Sequence, residues 1–145
     1  MKPFSVLQWN CYHLNSEKIH YLATKALQEN IDVIMIQEVS HVDYKYGPRR
    51  IPNFQKPMFL KPEHAKGIAV YVRNGVQWKF VTECYNEKYP KILHQAILVG
   101  HDETDILRID HVYIHPETTK PDREQFWNYI TSNKMTKHLI LGDIN

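Results

Sequence analysis

A chain of 145 residues with 43% hydrophobic and 23% charged residues has the size and composition of one globular domain, which excludes disordered, collagen-like and coiled-coil proteins. Its net charge of +2 is too small for a protein that holds nucleic acid by bulk charge, so any nucleic-acid contact must be local. Two cysteines are too few for a disulfide framework, no secretory leader precedes the first strand, and no apolar run approaches the roughly 18 to 20 residues that cross a bilayer. We therefore expect an intracellular protein, nuclear or cytoplasmic, that makes no membrane contact.

The first third of the sequence predicts a strand, a helix and a second strand. Residues 4–10 alternate large and polar side chains with the period of a half-buried strand. Asn15 is a good N-cap, and apolar residues then recur at helical spacing up to about Asn30. The almost continuously apolar run 32–38 is typical of a strand that is covered on both faces, and it places Glu38 at the strand's exit.

The middle of the sequence predicts a long loop and a hairpin. Residues 40–57 are polar, contain glycine and prolines and show no sustained period, so we expect a loop. Residues 67–72 and 76–81 are both strand-like and flank Asn74-Gly75, a dipeptide that tolerates the positive φ angles of a tight turn. The pattern predicts that these two strands pair as a hairpin.

The last third predicts two strands, a helix and a final strand. Residues 92–99 and 106–114 are expected to pair antiparallel across a polar turn, and a helix of about three turns begins near Pro121. The final strand, 138–141, runs into Gly142-Asp143-Ile144-Asn145. This order of elements favours an α/β sandwich of mostly antiparallel or mixed sheets with the helices outside.

Several polar side chains stand where predicted strands end, which is where sites gather in such sheets. They are Asn10, Glu38, Asp143 and Asn145. Magnesium prefers oxygen ligands and is usually held by one or two carboxylates together with water and substrate phosphate. Zinc would require cysteines and histidines at short spacing, and the nine histidines are scattered. No glycine-rich phosphate loop occurs.

Five segments in order resemble the successive motifs of the endonuclease/exonuclease/phosphatase superfamily, and most closely its non-LTR (LINE-type) retrotransposon endonucleases and apurinic/apyrimidinic endonucleases. The segments are Trp9-Asn10, Ile36-Gln37-Glu38, Lys66-Gly67-Ile68-Ala69-Val70-Tyr71, Val112-Tyr113-Ile114-His115-Pro116 and Leu141-Gly142-Asp143-Ile144-Asn145. Any one of them is a weak signal, whereas five in register are much stronger.

The resemblance implies which fold the chain has and how much of that fold it contains. Residues 1–145 would form the N-terminal part of a four-layered α/β sandwich, with two mostly antiparallel or mixed sheets flanked by helices. The Ser-Asp-His segment that these enzymes carry near their C-terminus does not occur in this sequence. We therefore expect the second sheet to be incomplete, the C-terminal part of the domain to be missing, and self-association through an open sheet edge.

The resemblance also implies roles for five residues. Glu38 would bind Mg²⁺, for which Mn²⁺ could substitute, with Asn10 beside it as a second metal-site residue. Tyr113 would contact the scissile phosphate, Asp143 would position or activate the attacking water, and Asn145 would hydrogen-bond the phosphate. The implied function is Mg²⁺-dependent hydrolysis of DNA phosphodiesters by the parent domain, an endonuclease that nicks DNA, while this chain alone could be inactive. The implied parent is a polyprotein with a reverse transcriptase.

Three positions depart from the family pattern and two other functions stay open. Tyr12 stands where a small or acidic residue is common, Lys66 replaces a glycine, and His111 replaces an asparagine or serine. One alternative is a phosphatase or phosphodiesterase of the same superfamily that acts on phosphoesters other than DNA. The other is a non-catalytic remnant of a mobile element that, because its active site is unfinished, at most binds nucleic acid.

Each candidate residue also has a structural explanation. Glu38 could be a solvated acid, and the asparagines could be turn formers. The histidines of the predicted strands are more often hydrogen-bonded core residues than catalysts; these are His94, His111 and His138. The three tryptophans, Trp9, Trp78 and Trp127, are predicted to anchor the core.

Overall fold

A computed structural model describes residues 3–40, 49–62, 65–81, 84, 91–102, 104–132 and 137–144. These residues form two helices and eight strands. In chain order they are β1 (Val6–Asn10), α1 (Ser16–Glu29), β2 (Val33–Gln37), β3 (Met58–Leu60), β4 (Ile68–Val72), β5 (Gln77–Phe80), β6 (Ile92–Asp102), β7 (Asp105–Ile114), α2 (Lys120–Thr131) and β8 (His138–Ile144). The predicted helices and most of the predicted strands are confirmed.

The strands form two four-stranded sheets, ordered β1-β2-β4-β3 and β5-β6-β7-β8. Each sheet is mixed, because β1 runs parallel to β2 and β7 runs parallel to β8, whereas the other neighbours are antiparallel. Each parallel pair lies at one edge of its sheet. The carboxyl ends of β1, β2 and β8 come together where these two edges meet.

Three apolar clusters define four layers, namely α1, the first sheet, the second sheet and α2. Ile34 and Ile36 of β2 pack with α1, whereas Val33 and Met35, on the opposite face of the same strand, pack between the sheets. Phe126 of α2 packs on the outer face of the second sheet. The two covered faces of β2 explain its continuous apolar run. The predicted α/β sandwich is therefore confirmed.

The predicted anchors and caps are also found. Trp9, Trp78 and Trp127 each pack against a different one of the three clusters. The side chain of Asn15 accepts a hydrogen bond from the Lys18 amide and so caps α1. A proline in the first turn of α2 fits the predicted start of that helix, since this position needs no amide donor.

The predicted hairpin around Asn74-Gly75 is wrong. A tight turn does form there, with the Val76 amide donating to the Arg73 carbonyl at 3.2 Å and Gly75 at φ +90°. However, β4 pairs with β2 on one side and β3 on the other, so neither of its edges is free for β5. The chain instead crosses to the other sheet, where β5 pairs with β6.

Two further boundaries differ from the sequence-based prediction. β8 extends to Ile144, so Asp143 lies within the last strand and not after it. The short strand β3 was not predicted, and part of the predicted loop before it, residues 41–48, lies outside the described residues. In the described ranges, β8 is an edge strand of the second sheet. Neither of the two helices is long and apolar enough to cross a membrane.

Candidate active site

Four of the five predicted site residues meet at one edge of the sandwich, where β1, β2 and β8 come together. Asn10 ends β1, Glu38 directly follows β2, and Asp143 lies in β8 opposite Tyr113 of β7. Asn145, the fifth, lies outside the described residues. Two carboxylates from different sheets therefore converge on one place.

Asn10 joins the two carboxylates. Its Nδ2 donates to Oδ2 of Asp143 at 2.6 Å and also to Oε2 of Glu38. Its Oδ1 accepts a hydrogen bond from the Tyr12 amide at 3.3 Å, which fixes the orientation of the side-chain amide. Asn10 consequently holds Glu38 and Asp143 at a set spacing across the two sheets.

Glu38 is held from its other side by a lysine. Lys66 Nζ donates to Oε1 of Glu38 at 2.9 Å. Partial burial acts to raise the pKa of Glu38, but the hydrogen bonds from Lys66 and Asn10 outweigh it and lower that pKa. Glu38 is therefore ionised at neutral pH, as a ligand for a hard cation must be.

The backbone at Glu38 is locked in an unusual conformation. Its φ is +54°, a region that non-glycine residues adopt at a cost of about 1–3 kcal/mol when the surroundings impose it. The Glu38 carbonyl accepts from the His13 amide at 2.9 Å, and the preceding Gln37 carbonyl accepts from the Cys11 amide at 3.1 Å. These bonds tie the turn after β2 to the turn after β1.

Lys18 holds the turn after β1 in place. Its ammonium donates to the carbonyls of Cys11, Tyr12 and His13, the last two at 2.7 and 3.1 Å. Tyr12 and His13 both have positive φ angles, 45° and 72°. Sequence reasoning missed this contact, because a lysine in the first turn of a predicted helix is an ordinary surface residue.

A polar row lies beneath the site, with Gln37 and His111 buried and Gln8 exposed. Gln8 Nε2 donates to Gln37 Oε1 at 2.7 Å, and Gln37 Nε2 lies 2.7 Å from His111 Nε2. Because the Gln37 amide nitrogen can only donate, His111 Nε2 accepts and the ring proton is on Nδ1. Burial lowers the pKa of His111 to about 3, which keeps the ring neutral. Within the described residues, Nδ1 has no hydrogen-bond partner.

Tyr113 and Gly142 complete the site on the second sheet. Burial first, and then the negative charges of Glu38 and Asp143, raise the pKa of Tyr113, so its hydroxyl stays protonated and can donate. Gly142 has φ +146°, and a Cβ there would lie 1.8 Å from the Val112 carbonyl oxygen. Only glycine allows β8 to approach β7 this closely beside Asp143.

The donor set suits a hard cation with few protein ligands. The described part of the chain contains no cluster of three or more His, Cys, Asp or Glu side chains arranged around a metal ion. It does contain two carboxylates, Glu38 and Asp143, bridged by one asparagine. One or two carboxylates, with water and substrate phosphate, are what magnesium commonly uses. The residues present therefore fit that ion.

A second charged cluster lies on the α2 side of the second sheet, away from this site. His94 Nε2 and His138 Nε2 both donate to the carboxylate of Asp110, the first at 2.5 Å. Arg108 adds two more hydrogen bonds at 2.9 and 3.0 Å. The structural interpretation of His94 and His138 is thereby confirmed. Despite burial, these three partners lower the pKa of Asp110.

One of the comparisons with known proteins identifies a family. A sequence model of the Endonuclease/Exonuclease/phosphatase family matches residues 7–143. A search of curated proteins found no match.

Solved structures share the fold at low sequence identity. The endonuclease domain of TRAS1, a telomere-specific non-LTR retrotransposon, aligns with a TM-score of 0.67 and 14% identity over 98% of this chain and 60% of that one. D. rerio TDP2 complexed with single-strand DNA product aligns with a TM-score of 0.63 and 10% identity, covering 96% and 58%. An endonuclease/exonuclease/phosphatase family protein from Leptotrichia buccalis C-1013-b gives 0.56 and 15%, covering 99% and 67%. The chain thus spans about three fifths of the first two.

Proposed function

Because this chain belongs to the Endonuclease/Exonuclease/phosphatase family, whose model matches residues 7–143, we propose that the domain it contributes to hydrolyses DNA phosphodiesters with the help of Mg²⁺. One observation carries the proposal. Glu38 and Asp143, carboxylates from two different sheets, are held together by Asn10, and Tyr113 lies opposite Asp143 on the neighbouring strand.

The residues divide the chemistry between them. Asp143 orients the attacking water and accepts its proton as the water oxygen bonds to phosphorus. Tyr113, kept neutral by its raised pKa, donates a hydrogen bond to a phosphoryl oxygen. Asn10 keeps the two carboxylates at their spacing, and Asn145 remains a predicted phosphate contact.

Glu38, with Asn10 beside it, would hold the magnesium ion. When bound, the ion supplies charge neutralisation at the phosphoryl oxygens and stabilises the departing alkoxide. The low pKa of Glu38 supports this role, because the carboxylate needs no deprotonation before it binds a cation.

DNA is the proposed substrate because the similar structures act on or hold it. One is described as the endonuclease domain of a retrotransposon, and another was solved with a single-strand DNA product. The Tyr113-x-x-Pro116 pattern also disfavours the lipid-directed branches of the superfamily, which tend to carry a different pair there.

The test is Mg²⁺-dependent nicking of supercoiled plasmid DNA by the domain to which this chain contributes. We expect the Glu38→Gln variant to nick at least about 100-fold more slowly, because several kcal/mol of metal-derived stabilisation are lost. Glu29→Gln is the matched control, since it makes the same change on the exposed face of α1. Chelation of the metal should stop nicking by the unaltered domain.

Three outcomes would redirect the proposal. Equal nicking by Glu38→Gln and the unaltered chain would remove Glu38 from the reaction. Release of phosphate from small phosphoesters without DNA nicking would favour the alternative phosphatase function. Unchanged DNA binding by both chains, with no nicking and no Mg²⁺ binding, would favour a non-catalytic DNA-binding remnant.

A further inference from the structure

Lys66 occupies one of the two oxygens of the carboxylate proposed to bind the metal. Its Nζ lies 2.9 Å from Oε1 of Glu38, while Oε2 accepts from Asn10. The Glu38 side chain is 17% exposed and that of Lys66 is 46% exposed. The ammonium therefore approaches Glu38 from the solvent side, which is the side from which an incoming cation must come.

The backbone fixes where Lys66 can reach. Its carbonyl accepts from the Ser40 amide at 2.7 Å, and the Gly67 carbonyl accepts from the Val39 amide at 3.2 Å. These two bonds attach the segment before β4 directly to the turn that carries Glu38. The Lys66 side chain also lies over the ring of Tyr12, with Nζ 4.7 Å from the ring centroid.

The Tyr12 ring gives the ammonium a second favourable place. A cation within about 6 Å of an aromatic centroid is attracted by the ring quadrupole. Tyr12 is 60% exposed and is held by the Lys18 contacts described above. An ammonium that leaves Glu38 therefore keeps one favourable contact and gains hydration, so its displacement is not prohibitive.

We propose that Lys66 is a tethered cation that neutralises Glu38 in the metal-free protein and competes with the divalent ion for it. This inference rests on the proposed function, because it takes Glu38 as the metal-binding carboxylate. The ammonium takes up a lone pair on the Oε1 oxygen and offsets the negative charge that would attract a metal ion. The ammonium also repels any cation that arrives nearby. Lys66 thus makes the Mg²⁺ affinity of the site lower than it would be without a cation at this position.

The inference predicts tighter metal binding when the competing charge is removed. Calorimetric titration of the Lys66→Gln chain with Mg²⁺ should give a Kd about three- to tenfold lower than that of the unaltered chain, the range expected for releasing a partly exposed ion pair. Lys66→Arg keeps a cation at the same place and should leave the Kd close to the original. Lys120→Gln removes the same charge from an exposed position on α2 and is the matched control.

Each result decides between the inference and the function on which it rests. Equal Mg²⁺ affinity of Lys66→Gln and the unaltered chain overturns the inference but leaves the metal site standing. Weaker binding by Lys66→Gln also overturns it, since Lys66 would then support the metal. An equal gain in Mg²⁺ affinity in Lys120→Gln would mean that the effect comes from net charge alone, and it would also overturn the inference. If none of these chains binds Mg²⁺, both the proposed role of Mg²⁺ in the function and the inference are wrong.

Discussion

Two carboxylates in this molecule accept hydrogen bonds from basic side chains in different surroundings. Asp110 is fully buried and accepts hydrogen bonds from His94, His138 and Arg108. Glu38 lies at the edge of the sheets, and its one cationic hydrogen-bond partner among the described residues, Lys66, is nearly half exposed.

The difference lies in whether the partners can be exchanged. Removing one member of a buried set leaves an uncompensated charge inside the protein, whereas an exposed lysine can return to water at little cost. The Asp110 cluster is therefore suited to stability, and the Glu38 pair is suited to replacement by a ligand.

The largest effect is expected at the buried cluster. The Asp110→Asn variant should lose about 3–5 kcal/mol of unfolding free energy, because Arg108 keeps its charge without its carboxylate partner. Urea unfolding measures this loss. Asp105→Asn is the matched control, since it breaks a partly exposed pair with Lys137 and should cost at most about 1 kcal/mol. A similar loss in both variants would contradict the distinction between buried and exposed carboxylates.

The next largest effect is a pH dependence that originates beneath the site. Burial first, and then the charge of His94, lower the pKa of His111 to about 3 from 6.5. Below pH 6.5 the unfolded chain binds a proton that the folded chain does not, so stability falls as the pH falls. From about pH 6.5 to pH 5 this one group should cost about 1.5 kcal/mol.

His111→Asn isolates that contribution, because asparagine cannot titrate. The variant should lose about 1.5 kcal/mol less than the unaltered chain when urea unfolding at the two pH values is compared. His20→Asn is a control, since His20 is exposed on α1. If His111→Asn keeps the full pH dependence, the assignment of His111 as a neutral ring that accepts a hydrogen bond from Gln37 is wrong.

Local patterns predicted the layers of the fold well. The period of residues 16–29 and the apolar run of residues 33–37 report which faces are buried, and those faces form the observed clusters. The same patterns say nothing about which strand pairs with which. The turn at Asn74-Gly75 was therefore predicted correctly, whereas the pairing of β4 with β5 was not.

The site shows the same division. Motif order pointed to Asn10, Glu38, Tyr113 and Asp143, which the structure brings together. Their supporting contacts depend on long-range packing. Lys66 was visible only as a departure from a family glycine, and its partner is 28 residues away. Lys18 lies on a helix with an ordinary amphipathic pattern, so nothing marked it.

The smallest expected effect separates the two lysines of the site from each other. Lys18 donates to backbone carbonyls, whereas Lys66 donates to a carboxylate that a metal could hold. Lys18→Met should lower the unfolding free energy by about 1 kcal/mol, while Lys66→Gln leaves it nearly unchanged.

Amide exchange gives the local readout, because His13 and Leu14 donate to the turn after β2 and should exchange faster in Lys18→Met. Lys25→Met, an exposed change on the same helix, should leave those two amides protected. Equal exchange in Lys18→Met and Lys25→Met would mean that the positive φ angles of Tyr12 and His13 are held without the ammonium.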